Sequence, residues 1–142
     1  MAVNARIVWV DGAQFSAESG SGHIVAMDGA PESGGRNLAT RPMEMMLIGM
    51  GGCTAIDVID MLRKQRQDVT DFRIELSAER ATDHPKVFTE VKVTYRVRGR
   101  RLNRSLIERA VSLSESKYCS ATAMIAKSAR ISSEVMLEDE PT

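Results

Sequence analysis

Aromatic residues are scarce in this chain: one Trp, two Tyr and three Phe among 142 positions. Few rings are available for stacking on bases, so single-stranded nucleic acid is a poor match as a partner. An excess of charge of either sign is missing too. Nineteen basic and nineteen acidic side chains cancel, and no net field points toward nucleic acid or an anionic membrane. No run reaches the roughly 18 uninterrupted apolar residues of a spanning helix. The opening "MAVNARIVWVDGAQF" has no long apolar core and carries Asp11 early, unlike a secretory leader. Together these absences lead to the expectation of a cytoplasmic chain, a compartment that keeps thiols reduced. Histidine and cysteine are limited to two each. Cys53 and Cys119 are too far apart in sequence for a metal-ligand spacing, with no histidine beside either, so neither a metal nor a cofactor is expected.

The length suits one domain over residues 1–142, with room for a true core. "ARIVWVDGAQFSAES" reads as two strands joined at Asp-Gly, and "HIVAMDG" as a third short strand. Residues 30–41, "APESGGRNLATR", form an exposed loop. From Pro42 to about Gln67 a helix is expected, with Thr40 as its N-cap and Pro42 in the first turn. It is apolar almost all round, which predicts burial on every side. Gly49, Gly51 and Gly52 cost helix stability, so they imply either a close approach by another backbone, such as a second copy of the helix, or a break before Cys53.

"VTDFRIELSAERA" and "VFTEVKVTYRVRG" alternate apolar and polar residues, as half-buried strands of a long antiparallel hairpin. "NRSLIERAVSLSESKYC" follows as an amphipathic helix with Leu106, Ile107, Ala110, Val111 and Leu113 inward. A short helix then starts at Cys119 or Ser120, and "RISSEVMLED" closes as a strand. The order βββ-α-ββ-αα-β gives an α+β fold with helices packed on an antiparallel sheet.

The chemistry centres on the two thiols. Cysteine is among the most frequently buried residues, so Cys53 in an apolar helix reads equally well as core or as nucleophile. Cys119 stands where one helix ends and another begins. The helix N-terminus and nearby Lys117 would both favour its thiolate. His23 and His84 are weak candidates as ligands or bases. Met43, Met45, Met46 and Met50 suit a core or an apolar pocket, and "RVRGRR" (96–101) suits a solvated basic turn.

"RPMEMMLIGMGGCTAIDVIDMLRKQRQDV" together with "SLSESKYCSATAMI" resembles the OsmC/Ohr family (osmotically inducible protein C and the organic hydroperoxide resistance proteins), and within it the bacterial YhfA-like subfamily. The resemblance covers essentially the whole chain. It implies an intertwined homodimer, with antiparallel sheets wrapped around central helices and active sites at the subunit interface. It also implies a cysteine-dependent peroxidase that reduces organic hydroperoxides. Matched by position, Cys53 would be the peroxidatic thiol and Cys119 the resolving one, with a dithiol such as a lipoylated protein as reductant.

The same resemblance implies an arginine holding the thiolate and a glutamate holding the arginine, ten residues before the cysteine. Met43 stands at that position and Glu44 follows it. At about 100° per residue, nine steps set Glu44 on the face opposite Cys53 unless the glycines kink the helix. Arg36 and Arg41 are the local arginine candidates, and Arg6 is a distant third. Asp57, one turn after Cys53, would oppose a thiolate unless a cation intervenes. The alternative function is a redox-silent homodimer of the same fold that binds a small apolar ligand at its interface.

Overall fold

The computed structural model of the chain describes residues 1–141 and divides into two compact units, Met1–Ile48 and Gly49–Thr142.

In the first unit, β1 (Ala5–Asp11), β2 (Gln14–Ser19) and β3 (Ile24–Met27) form an antiparallel meander. The Asp-Gly signal is met: Gly12 sits at φ +54°, a left-handed conformation that glycine adopts without a Cβ penalty. A short turn of 3-10 helix, Pro31–Ser33, interrupts the loop. Asp28, almost wholly buried, gathers that loop around its carboxylate. It accepts from the backbone N–H groups of Gly29 (2.7 Å), Leu38 (3.1 Å) and Arg36 (3.3 Å). Burial alone would raise its pKa, but these donors outweigh that and hold the carboxyl below its ordinary value.

Helix α1 (Pro42–Lys64) begins in the first unit and continues into the second without a break at Gly51-Gly52. Its start differs from the expectation. Thr40 bridges to Met27, and its carbonyl accepts the N–H of Asp28. Arg41 is the residue in the capping position, since its carbonyl accepts the first helical N–H, from Met45. Glu44 reaches back to accept the Arg41 N–H at 3.0 Å, the acidic half of a capping box. At the other end Arg66 turns left-handed at φ +58°. The N–H groups of Arg66 and Gln67 bond back to the carbonyls of Arg63 and Leu62, which closes the helix in a Schellman arrangement.

The second unit holds β4 (Asp68–Arg80), β5 (Phe88–Arg100), α2 (Arg104–Leu113), a π-helical turn (Ser114–Tyr118), α3 (Ser120–Ile125) and β6 (Arg130–Asp139). β4 and β5 form the long antiparallel hairpin, whereas β6 joins β5 in parallel. That reverses the antiparallel expectation for the last strand. The helical segment between β5 and β6 is a crossover, and a crossover returns the chain in the same direction. Central β5 supplies one core face: Val91, Val93, Tyr95 and Val97 are fully or nearly fully buried.

In α2, Ile107, Ala110 and Val111 are buried as expected, while Leu106 is exposed and Leu113 is only half-buried. The Asn103 side chain caps this helix by accepting the Leu106 N–H. α1 is not buried all round. Its buried residues Met50, Thr54, Val58 and Leu62 recur every four positions, with Gly51 beside them, while Met46, Ile48 and Ile56 are exposed. A Cβ on Gly51 would come 2.7 Å from Leu76 Cδ1, so the close approach there is by a side chain of β4. Gly49 and Gly52 face open space in the single chain. By length and apolarity alone α1 would suffice to cross a bilayer, with a mean hydropathy of 1.6 over an 18-residue stretch.

Candidate functional site

The second unit brings the two thiols together. Cys53 lies half-buried on α1, and Cys119 is buried where the π turn hands over to α3. Both are free thiols. Three residues fix Cys119. Its N–H donates to the carbonyl of Ser114 at 2.7 Å, the five-residue reach of a π turn. Its sulfur accepts from the N–H and the hydroxyl of Thr122, at 3.4 and 3.0 Å. The thiol in turn points to the carbonyl of Met50, 3.9 Å away and one turn before Cys53 on α1.

The electrostatics of Cys119 differ from the expectation of a favoured thiolate. Burial pushes its pKa above 9.0; the Thr122 hydrogen bonds pull it down by less, and the neighbouring Cys53 thiol raises it further. Desolvation outweighs the N-terminus of a six-residue helix. Lys117 stands over the ring of Tyr118, 5.2 Å from its centroid. Cys119 is thus held as a neutral thiol against the turn that carries Cys53.

Beside the thiols runs a chain of buried polar groups that sequence reasoning missed. Thr54, adjacent to Cys53 and fully buried, has its hydroxyl 2.7 Å from that of Ser114 and 3.0 Å from that of Tyr95. Ser114 donates to Asp57 at 3.0 Å. Tyr95 donates to Glu115 at 2.7 Å, and Ser133 donates to the other oxygen of Glu115 at 3.0 Å. Carboxylates therefore terminate both ends, and Thr54 in the middle has one proton for two neighbours. Burial drives the Tyr95 hydroxyl above the usual phenol range, where its bond to Glu115 also helps keep it protonated. Among the described residues no buried side-chain nitrogen or oxygen lacks a partner. The sequence held one clue. Tyr95 falls on the inward phase of β5, and a buried phenol needs a hydrogen-bond partner.

Asp57 also lines an open cleft of about 390 Å³ with Asp60, Met61, Lys64, Leu113 and Tyr118. Asp57 itself accepts from the hydroxyl of Ser114.

Most of the remaining candidates have partners of their own. Glu44 is engaged by the first turn of its own helix through the N–H of Arg41. Arg36 pairs with Asp11 and reaches the Gln14 side chain, both at 3.4 Å. Arg6 pairs with Glu18 across β1 and β2 at 3.0 Å. His23 meets Ser21 at the tip between β2 and β3, and His84 precedes Pro85 in a cis peptide. In the basic stretch 96–101, Arg96 pairs with Glu75, Arg98 with Glu138 and Glu140, and Arg100 with Asp68 and Glu140. Among the described residues no group of three or more His, Cys, Asp or Glu gathers to hold a metal ion.

Comparison with known proteins places these features in context. A family model described as OsmC-like protein matches residues 34–134. The chain is 45% identical to the protein YhfA of Escherichia coli over 129 residues, which is 91% of this chain and 93% of that one. A hypothetical protein from Aquifex aeolicus is 30% identical, with a TM-score of 0.82, covering 98% of this chain and 99% of its own. An organic hydroperoxide resistance protein OsmC from Legionella pneumophila shares the fold, with a TM-score of 0.69 at 18% identity, over 96% of this chain and 97% of that one.

Proposed function

The chain belongs to the OsmC-like family, and from that premise we propose that it is a thiol-dependent peroxidase for organic hydroperoxides. The observation that carries this reading is the pairing of two free thiols, one half-buried on α1 and one neutral and anchored to the preceding turn of that helix. Cys53, the more accessible, attacks the distal peroxide oxygen as thiolate. The O–O bond breaks, the alcohol leaves with a proton, and Cys53 becomes a sulfenic acid. Cys119 then attacks that sulfur. An S–S bond forms, the S–O bond breaks, and the thiol hydrogen departs with the hydroxyl as water. A dithiol, such as a lipoyl group on a partner protein, returns both cysteines to thiols. A reducing cytoplasm suits this cycle.

The working form in this proposal is a homodimer. Ile7, Val8, Trp9 and Val10 of β1 are consecutive and exposed, as is Ile56 of α1, and Gly49 and Gly52 leave α1 open for close packing. Apolar surface of this kind calls for a cover.

One observation favours the redox-silent alternative. Glu44 accepts the N–H of Arg41 at the N-terminus of α1, and Arg36 pairs with Asp11 and reaches Gln14, so within the first unit these two side chains are engaged with other partners and not with each other. Steady-state turnover of cumene hydroperoxide with dihydrolipoamide separates the readings. The peroxidase turns over, and both Cys53→Ser and Cys119→Ser lose dithiol-driven turnover. A wild-type protein without turnover would leave ligand binding as the function.

A further inference from the structure

The polar chain behind the thiols has a geometry that the peroxidase reading does not use. Ser114 acts in two directions. Its carbonyl accepts the N–H of Cys119 at 2.7 Å, and its hydroxyl is gripped from α1 by Thr54 at 2.7 Å and Asp57 at 3.0 Å. Those two residues lie one and four positions after Cys53, on the helix that carries the other thiol. Ser114 is fully buried, as is Thr54. Its own N–H closes α2 by bonding to the carbonyls of Ala110 and Val111. On the far side, Tyr95 and Glu115 tie the same hydroxyls to β5 and, through Ser133, to β6. The contacts of Thr54 with Ser114 and Tyr95 are buried, where hydrogen bonds constrain geometry strongly, and the bond from Ser114 to Asp57 is part-buried.

We propose that Ser114 is a positioning residue for the resolving step: held by Asp57 and Thr54, it fixes the π turn so that the Cys119 sulfur meets Cys53. A π turn is rare beside the α-helical spacing that precedes it, so its register depends on what grips it from outside. Without the hydroxyl, the turn is free to relax toward α-helical spacing, which would carry the Cys119 backbone away from α1. The disulfide chemistry is unchanged in its atoms; what Ser114 supplies is the approach of one sulfur to the other. This rests on the peroxidase reading only for its biological use, since any oxidant that joins the two thiols depends on the same approach.

The test uses diamide, an azo oxidant that takes up the two hydrogens of a dithiol and needs no peroxidase activity. Closure of the Cys53–Cys119 disulfide is followed by intact mass in the full-length wild type, Ser114→Ala, Asp57→Ala and Asp57→Asn. Ser114→Ala should slow closure roughly ten- to a hundred-fold, the range over which misplacement acts on oriented reactions. Asp57→Ala should slow it in the same direction and serves as the second variant if Ser114→Ala does not fold. Asp57→Asn keeps an acceptor oxygen for Ser114 and should restore most of the rate. The rate of Cys53 alkylation by iodoacetamide should stay within about twofold in Ser114→Ala, whereas general loosening would raise it; it should be alike in Asp57→Ala and Asp57→Asn, which both remove the same charge one turn from Cys53. Closure at the wild-type rate in the folded alanine variants would overturn the proposal, as would equal slowing by Asp57→Asn and Asp57→Ala. A wild type that closes with diamide but not with hydroperoxide would sink the peroxidase reading alone. One that closes with neither would overturn both.

Discussion

Replacing Thr54 by valine removes one hydroxyl from the centre of the buried chain and leaves the volume almost unchanged. One bond is lost, because the single Thr54 proton serves only one of its two neighbours, Ser114 at 2.7 Å or Tyr95 at 3.0 Å. Neither neighbour is orphaned, because Ser114 still donates to Asp57 and Tyr95 still donates to Glu115. The full penalty of a buried unsatisfied donor is therefore not incurred. One net hydrogen bond at about 0.5–1.5 kcal/mol, less a small gain from the added methyl, leaves a destabilisation of about 0.5–1 kcal/mol. For a chain of this length that corresponds to a fall in Tm of roughly 2–4 °C. Thermal unfolding followed by circular dichroism, at one protein concentration and with both thiols reduced, measures it. An unchanged or higher Tm would refute the reasoning, because the hydroxyls would then contribute no more than an apolar core of the same shape.

Two further outcomes follow from the pKa directions. Burial raises Cys119, so its folded form holds a proton more tightly than the unfolded chain. That stabilisation is complete below pH 9.0 and is lost as pH rises through the folded value; Cys119 should resist iodoacetamide at pH 8 while Cys53 reacts, and equal rates would contradict the placement. Asp28 works in the opposite sense. Its net shift is downward, with three backbone donors overcoming burial, so its contribution is present above pH 3.8 and fades as pH falls through the folded value. The Tm gap between wild type and Asp28→Asn should therefore be widest near neutrality and shrink in acid, and a gap that grows on acidification would be the contrary result.

Much of the fold was legible because period-two alternation and turn residues are local signals. The Asp-Gly hairpin, β4 and β5, and the start of α3 at Ser120, directly after Cys119, all follow from neighbouring residues. What could not be read depends on distant partners. The direction of β6 is set by the crossover rather than by its own pattern. α1 is apolar on all sides, so its sequence has no phase from which to tell the buried line Met50-Thr54-Val58-Leu62 from the exposed Met46, Ile48 and Ile56.

The candidate site divides in the same way. Both thiols were visible from the sequence, but the charge on Cys119 was misjudged because burial outweighs a short helix's N-terminus. Glu44 already carried its capping role in the spacing from Arg41, three residues before it. The union of Thr54, Tyr95 and Ser114 joins positions 41 and 60 residues apart, and no local pattern announces it.

The central claim is that Cys53 and Cys119 form one redox pair. Reduced protein should be given one equivalent of an organic hydroperoxide and examined by thiol counting together with intact mass. The account predicts loss of both free thiols and of about two mass units, as a two-electron oxidation to a disulfide requires, with neither change in Cys53→Ser. Two remaining thiols at unchanged mass would contradict it.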